Sequence, residues 1–78
     1  MLANVNFVNV ESLMMNYQPN QIYRSHEGTH YLVVDVRFKG LTLLDLLHQS
    51  YVNPSYDSPW LEYFTFIGTA DSHPEFLI

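Results

Sequence analysis

The sequence predicts an α+β domain: an antiparallel β-sheet of three or four strands with one helix on one face. Three observations support a β-β-α-β core plus an N-terminal element. Residues 21–39 hold two strand-like runs, leucines follow Gly40 at helical spacing, and residues 60–68 return to a strand-like run. The chain has 78 residues and no cysteine, so we expect a single domain over 1–78 without disulfides.

The N-terminal element begins with "ANVNFVNV", residues 3–10, in which apolar and polar residues alternate. The alternation changes phase near Phe7 and Val8, which predicts a strand with a bulge. Residues 11–17 are compatible with a short helix or with a second strand. Pro19 then predicts a turn before the hairpin.

The hairpin is the clearest feature, because Gly28 supplies the positive φ that a tight turn requires. In its second strand-like run, side chains at alternate positions lie on opposite faces and so form two sets. We expect the more apolar set to face the core, and it consists of Leu32, Val34, Val36 and Phe38. The half-solvated set would be Tyr31, Val33, Asp35, Arg37 and Lys39.

The helix is predicted to follow Gly40, which ends the strand. Thr42 can cap it, with Asp45 three residues later in the spacing of a capping box. A broad apolar arc would then be formed by Leu43, Leu44, Leu46 and Leu47, extended by Tyr51. Such an arc is wider than a small sheet needs, so we expect part of it to face a partner.

The rest of the chain predicts a loop over 52–59, containing Pro54 and Pro59, and then a strand over 60–68. Both faces of that strand are largely apolar, which is typical of a central strand or of one buried at an interface. Residues 69–76 are predicted as loop, and the final "FLI" as a short strand or a loose end.

The charge pattern is asymmetric. Residues 1–39 hold all three basic residues against three acids, so the net charge of −5 resides in residues 40–78. Phosphate binding needs clustered cations, which argues against direct nucleic-acid binding. The acidic half favours a basic protein partner, and the apolar content favours a homodimer. The alternative is that the acids only keep a small apolar protein in solution.

Residues that could carry catalysis are sparse. His26 and His30 lie four apart, but Gly28 between them indicates a turn and no third good ligand is evident. No serine lies in a nucleophile-elbow context, and the isolated glycines form no phosphate loop. We therefore predict no enzyme activity, no metal and no cofactor.

The predicted partner-binding residues combine aromatic rings, leucines and acids around the helix and the proline loop. Tyrosine and tryptophan near acids are typical protein–protein anchors. The set is Asp45, Leu46, Leu47, Tyr51, Tyr56, Asp57, Trp60 and Glu62. The alternative is that the rings only cover a sheet edge or a helix end.

The segment from Lys39 to Asp45, "KGLTLLD", resembles the small dimeric uracil-DNA glycosylase inhibitors of Bacillus phages, in which such a motif opens the single helix. The resemblance implies a homodimer that occupies the DNA-binding groove of the glycosylase. Carboxylates would replace phosphates, and an apolar site would capture the apolar side chain that probes DNA. Leu46 and Leu47 depart from the family, which has an aromatic residue and an acid there.

The expected function is therefore a DNA-mimicking inhibitor of a DNA-processing enzyme. The alternative is a homodimeric phage or plasmid accessory protein that binds another host factor. The N-terminus has no basic region followed by a continuous apolar core, and no run of about 18 apolar residues exists. We expect a cytoplasmic protein, located in the host cytoplasm if phage-encoded.

Overall fold

The computed structural model describes residues 16–77. Within these residues, five strands form one antiparallel sheet in the order β4-β3-β2-β1-β5. The strands are β1 (Gln21–Arg24), β2 (His30–Val36), β3 (Leu41–Asp45), β4 (Ser50–Val52) and β5 (Thr65–Thr69). In the described part of the chain, two short 3-10 helices accompany the sheet, at Pro59–Tyr63 and Pro74–Leu77. The strand predicted at residues 3–10 and most of segment 11–17 lie outside the described residues.

The predicted α+β class is wrong, because the described residues contain no helix of seven or more residues. The segment predicted as the helix forms β3, the β3–β4 turn and β4. Leu41 and Leu43 are fully buried on one side of β3, while Thr42 and Leu44 alternate with them. Leucine is a good helix former, but intrinsic helix propensity is a small term that tertiary context can override, and the ladders that β3 makes with both β2 and β4 outweigh it here.

The hairpin prediction is confirmed: β1 and β2 pair antiparallel with Tyr23 opposite Tyr31. Gly28 has a φ of 92°, in the left-handed region that glycine adopts without strain. Its N–H donates to the carbonyl of Ser25 at 2.9 Å, and the Ser25 N–H donates to the carbonyl of Thr29 at 2.8 Å. These bonds close the turn.

The predicted faces of β2 are reversed over residues 31–34, whereas Val36 packs against the core as predicted. Tyr31 and Val33 are buried, whereas Val34 is 41% exposed and Phe38, beyond the strand, is 67% exposed. The register between β2 and β3 shifts between Val33 and Asp35, so simple alternation fails there. The buried side is the one that the first 3-10 helix covers, and its core consists of Tyr23, Tyr31, Val33, Leu41, Leu43 and Leu61.

The predicted strand at 60–68 is wrong in its first half. Pro59 begins a 3-10 helix, where its fixed φ and missing N–H are tolerated. Leu61 of this helix is buried, and the Trp60 ring meets Tyr31 edge-on with centroids 5.2 Å apart. Only Thr65–Thr69 form a strand, β5, and it lies at the sheet edge and not in the centre.

Ile22 is fully buried on the opposite face of the sheet. The C-terminal segment follows β5 in the chain. That segment is neither the predicted final strand nor a loose end, because Pro74–Leu77 form the second 3-10 helix. The Phe76 ring stacks on the His30 imidazole with centroids 4.3 Å apart. Within residues 16–77, no helix has the length and apolar character needed to cross a membrane.

Candidate partner-binding surfaces

An open concavity of about 420 Å³ lies at the end of the sheet where the β1–β2 and β3–β4 turns meet. We call it the acidic concavity. Among residues 16–77, it is lined by two carboxylates and no lysine or arginine, and its apolar part comes from both leucines of the β3–β4 turn and from Phe76. The lining residues are Glu27, Gly28, Thr29, His30, Leu46, Leu47, Glu75 and Phe76.

Glu27 is placed on the concavity by the β1–β2 turn. Its carboxylate has a lowered pKa, first because it accepts its own backbone N–H, then because it accepts the Ser25 hydroxyl and the Trp60 indole N–H. The Trp60 Nε1 donates to Oε1 of Glu27 over 3.5 Å. Glu27 therefore carries a negative charge at neutral pH on a turn that hydrogen bonds hold in place.

Asp45 shapes the second turn. Its Oδ1 accepts the backbone N–H groups of Leu47 and His48, both at 2.9 Å, and its Oδ2 lies 2.9 Å from Nδ1 of His48. The pKa of Asp45 is lowered, chiefly by the His48 backbone N–H and then by the His48 ring. Asp45 is buried, and these bonds position the turn that carries Leu47, which is 74% exposed.

The C-terminal 3-10 helix contributes the other side of the concavity. The N–H of Phe76 donates to the carbonyl of His73 at 3.2 Å, and stacking on His30 fixes the Phe76 ring against β2. Glu75, the preceding residue, is exposed and lines the concavity beside this ring. Arg24 pairs with His30 across the strands but does not line the concavity.

A second concavity, of about 410 Å³, lies beyond the other end of β2 and is lined by Phe38, Lys39, Ser55, Tyr56 and Asp57. Its outer edge is the β2–β3 turn. We call the residues Arg37, Phe38 and Lys39 the basic tip. The seven residues of β2 separate the tip from the acidic concavity, a strand length of about 23 Å.

The basic tip is braced by the loop that follows β4. The Arg37 N–H donates to the carbonyl of Gly40 at 2.8 Å and closes the turn. The Tyr56 hydroxyl donates to the Arg37 carbonyl at 2.6 Å, and the Tyr56 N–H donates to the Lys39 carbonyl at 3.1 Å. Burial raises the pKa of Tyr56, so its hydroxyl remains a donor at neutral pH.

The structure does not gather the predicted partner-binding residues into one surface. Leu46 and Leu47 line the acidic concavity, whereas Tyr56 and Asp57 line the second one. Tyr51 is exposed on the edge strand β4. The remaining two, Trp60 against the core and exposed Glu62, belong to the first 3-10 helix.

The sequence analysis did not predict that Glu27, Glu75 and Phe76 form one surface with Leu47. The only signal was that Glu27 directly precedes the turn glycine, so its side chain had to lie near the tip of the hairpin. Nothing in the spacing indicated that residues 75–76 return to the same end. Among residues 16–77, no three His, Asp or Glu side chains cluster as metal ligands do.

No protein-family model, curated protein or solved structure matches the chain. Residues 39–45, which carry the resemblance to the glycosylase inhibitors, lie at the end of a turn and in β3. The helix start that the resemblance implies is therefore wrong for this chain.

Proposed function

We propose that this protein is a non-enzymatic binding protein that uses the acidic concavity to engage a cationic surface of another protein. The single observation behind the proposal is that Glu27 and Glu75 line one concavity together with the apolar side chains of Leu47 and Phe76. Arginine and lysine join a charged head to an apolar stem, so such a side chain can pair with a carboxylate and pack on the apolar side chains at the same time.

The order of the site supports binding. The Ser25 backbone bonds hold the turn that bears Glu27, Asp45 holds the turn that bears Leu47, and His30 packs against Phe76. A preformed site loses less conformational entropy on association than a flexible one. The charged rim would also accelerate the encounter with a basic partner, particularly at low ionic strength.

The partner class we propose is an enzyme that processes DNA, with uracil-DNA glycosylase as the first candidate. DNA-binding surfaces are cationic because they neutralise phosphates, and carboxylates can take the place of those phosphates. The protein would then act as an inhibitor by DNA mimicry, in the cytoplasm of the host if it is phage-encoded. Charge is the support for this partner, since residues 39–45 do not open a helix.

The test measures uracil excision from a labelled oligonucleotide by the glycosylase, with increasing amounts of this protein. We expect inhibition by the native chain and at least tenfold weaker inhibition by E27Q/E75Q. The matched control, D35N/D57N, also removes two negative charges, but from exposed residues near the other end of β2. Equal loss in both variants would show that net charge matters and the concavity does not.

Undiminished excision at excess inhibitor would exclude the glycosylase as the target. The wider proposal is then tested by titrating a fluorescent arginine-rich peptide against the same variants. If E27Q/E75Q weakens peptide binding and D35N/D57N does not, the result supports a basic partner other than the glycosylase. Such a partner is what an accessory protein that binds another host factor requires. Binding that neither pair changes would contradict a role for the acidic concavity.

A further inference from the structure

We propose that the basic tip of one copy of this chain docks into the acidic concavity of a second copy, so that molecules associate head to tail. This inference rests on the acidic concavity of the proposed function, but it requires no foreign partner. The two surfaces are on the same chain, at opposite ends of β2.

The two surfaces match in chemistry and in order. The tip presents Phe38, which is 67% exposed, between the cations Arg37 and Lys39. The concavity presents the apolar side chains of Leu47 and Phe76 together with the anions Glu27 and Glu75. Docking therefore places an aromatic ring on apolar side chains and brings each cation to a carboxylate. Such complementarity favours the correct partner and orientation.

The concavity is large enough for the tip. Its volume of about 420 Å³ falls within the range of about 300–1,000 Å³ typical of ligand sites. The opening is broad, so the flanking Arg37 and Lys39 can reach the rim while the Phe38 ring enters. Aromatic and arginine side chains are also the residues that most often anchor protein interfaces.

The tip is ordered before it docks. The bond from the Arg37 N–H to the Gly40 carbonyl closes the turn, and Tyr56 ties the carbonyls of Arg37 and Lys39 to the following loop. Gly40 packs so closely on Pro54 and Ser55 that the turn has little room to shift. The Arg37 guanidinium already donates to the Leu41 carbonyl at 3.4 Å, so docking immobilises chiefly the Phe38 and Lys39 side chains.

The placement of the surfaces determines the kind of assembly. A molecule cannot satisfy its own concavity across β2, and a tip-to-concavity contact uses different patches on the two copies. Contacts of this kind form closed rings or open chains, and an open chain has a free tip at one end and a free concavity at the other. We therefore expect a mass that rises with protein concentration and not a discrete two-fold dimer.

The experiment is a complementation test by sedimentation velocity at low ionic strength. R37E/K39E reverses the tip and leaves the concavity native, whereas E27K/E75K reverses the concavity and leaves the tip native. We expect self-association of the native chain and at least tenfold weaker association of each variant alone. Mixed in equal amounts, the variants should associate again, because the native tip of E27K/E75K meets the native concavity of R37E/K39E and the two reversed surfaces also carry opposite charges.

A native chain that stays monomeric at millimolar concentration would overturn the inference, as would a mixture that associates no better than either variant alone. Circular dichroism and thermal unfolding establish that each variant folds, and the milder pair K39E and E75K replaces any variant that does not.

If E27K/E75K no longer binds the arginine-rich peptide while self-association persists, the inference fails and the proposed function stands. Peptide binding that survives E27K/E75K while self-association is lost would instead contradict the proposed function and support the inference.

Discussion

The carboxylate of Asp45 organises the β3–β4 turn, although the sequence suggested a partner contact. It accepts two backbone N–H groups and lies against the His48 ring, all at 2.9 Å. Turn carboxylates of this kind replace hydrogen bonds that the backbone cannot make with itself. The exposed Leu47 side chain points out of the molecule because Asp45 holds the residues around it.

We expect D45N to lower the urea midpoint of unfolding, and D45A to lower it further, because asparagine keeps one acceptor oxygen and alanine keeps none. The pKa of Asp45 is lowered in the folded chain, so its carboxylate stabilises the fold above the unfolded value of about 3.8. That contribution is lost as the pH falls through the lower, folded pKa. Urea unfolding between pH 7 and pH 2 should therefore show a steeper acid loss for the native chain than for D45N. Identical slopes would contradict this role.

Gly40 is a second residue whose role is local. A Cβ at this position would overlap the carbonyl oxygen of Pro54 and approach the Ser55 Cα to 2.9 Å. Both are backbone atoms that cannot rotate away. We expect G40A to destabilise the protein by about 1–3 kcal/mol, as overpacking does. Thermal or urea unfolding measures the change, with K39A at the exposed neighbouring residue as the control; equal stability of G40A and the native chain would refute the close packing.

At the scale of elements, local sequence could predict the β1–β2 hairpin but could not predict β3. The β1–β2 hairpin was predictable because Gly28 and the alternation around it act within a dozen residues. The leucines after Gly40 fit a helix by spacing, and only the partners β2 and β4 make the strand preferable. The reversed faces of β2 have the same origin, since a bulge and the covering 3-10 helix decide which side is buried.

A pair of alanine substitutions distinguishes the strand from the predicted helix. Leu43 is fully buried, so L43A should destabilise the fold by about 2–5 kcal/mol. Leu47 is 74% exposed, so L47A should change stability by less than about 0.5 kcal/mol. In the predicted helix both leucines belonged to one apolar arc and would matter together. Urea unfolding of the two variants makes the comparison, and similar large losses would favour the helix.

At the scale of the whole molecule, the candidate surfaces consist of pieces that the chain brings together from afar. Glu27, Leu47 and Phe76 meet at one end of the sheet, although about twenty to thirty residues separate each from the next. The sequence revealed that the second half is acidic. It could not reveal that Glu27 of the first half joins Glu75, because that depends on how the C-terminal segment folds back to His30.

The separation of the basic tip from the acidic concavity makes a last prediction about ionic strength. The two surfaces lie one β2 length apart, about 23 Å. Charges at this distance are screened from each other once the Debye length falls to about 10 Å, near 0.1 M salt. Below that concentration the opposed ends act on approaching molecules over a long range; above it only direct contacts remain. We expect self-association, followed by sedimentation, to weaken at least tenfold between about 0.01 M and 0.3 M salt.

F38S should weaken self-association at every salt concentration, since this substitution removes the apolar contact and leaves the charges. Association that strengthens with salt would instead indicate an apolar interface elsewhere, for which the exposed Tyr51 on β4 and Phe66 on β5 are the first residues to replace.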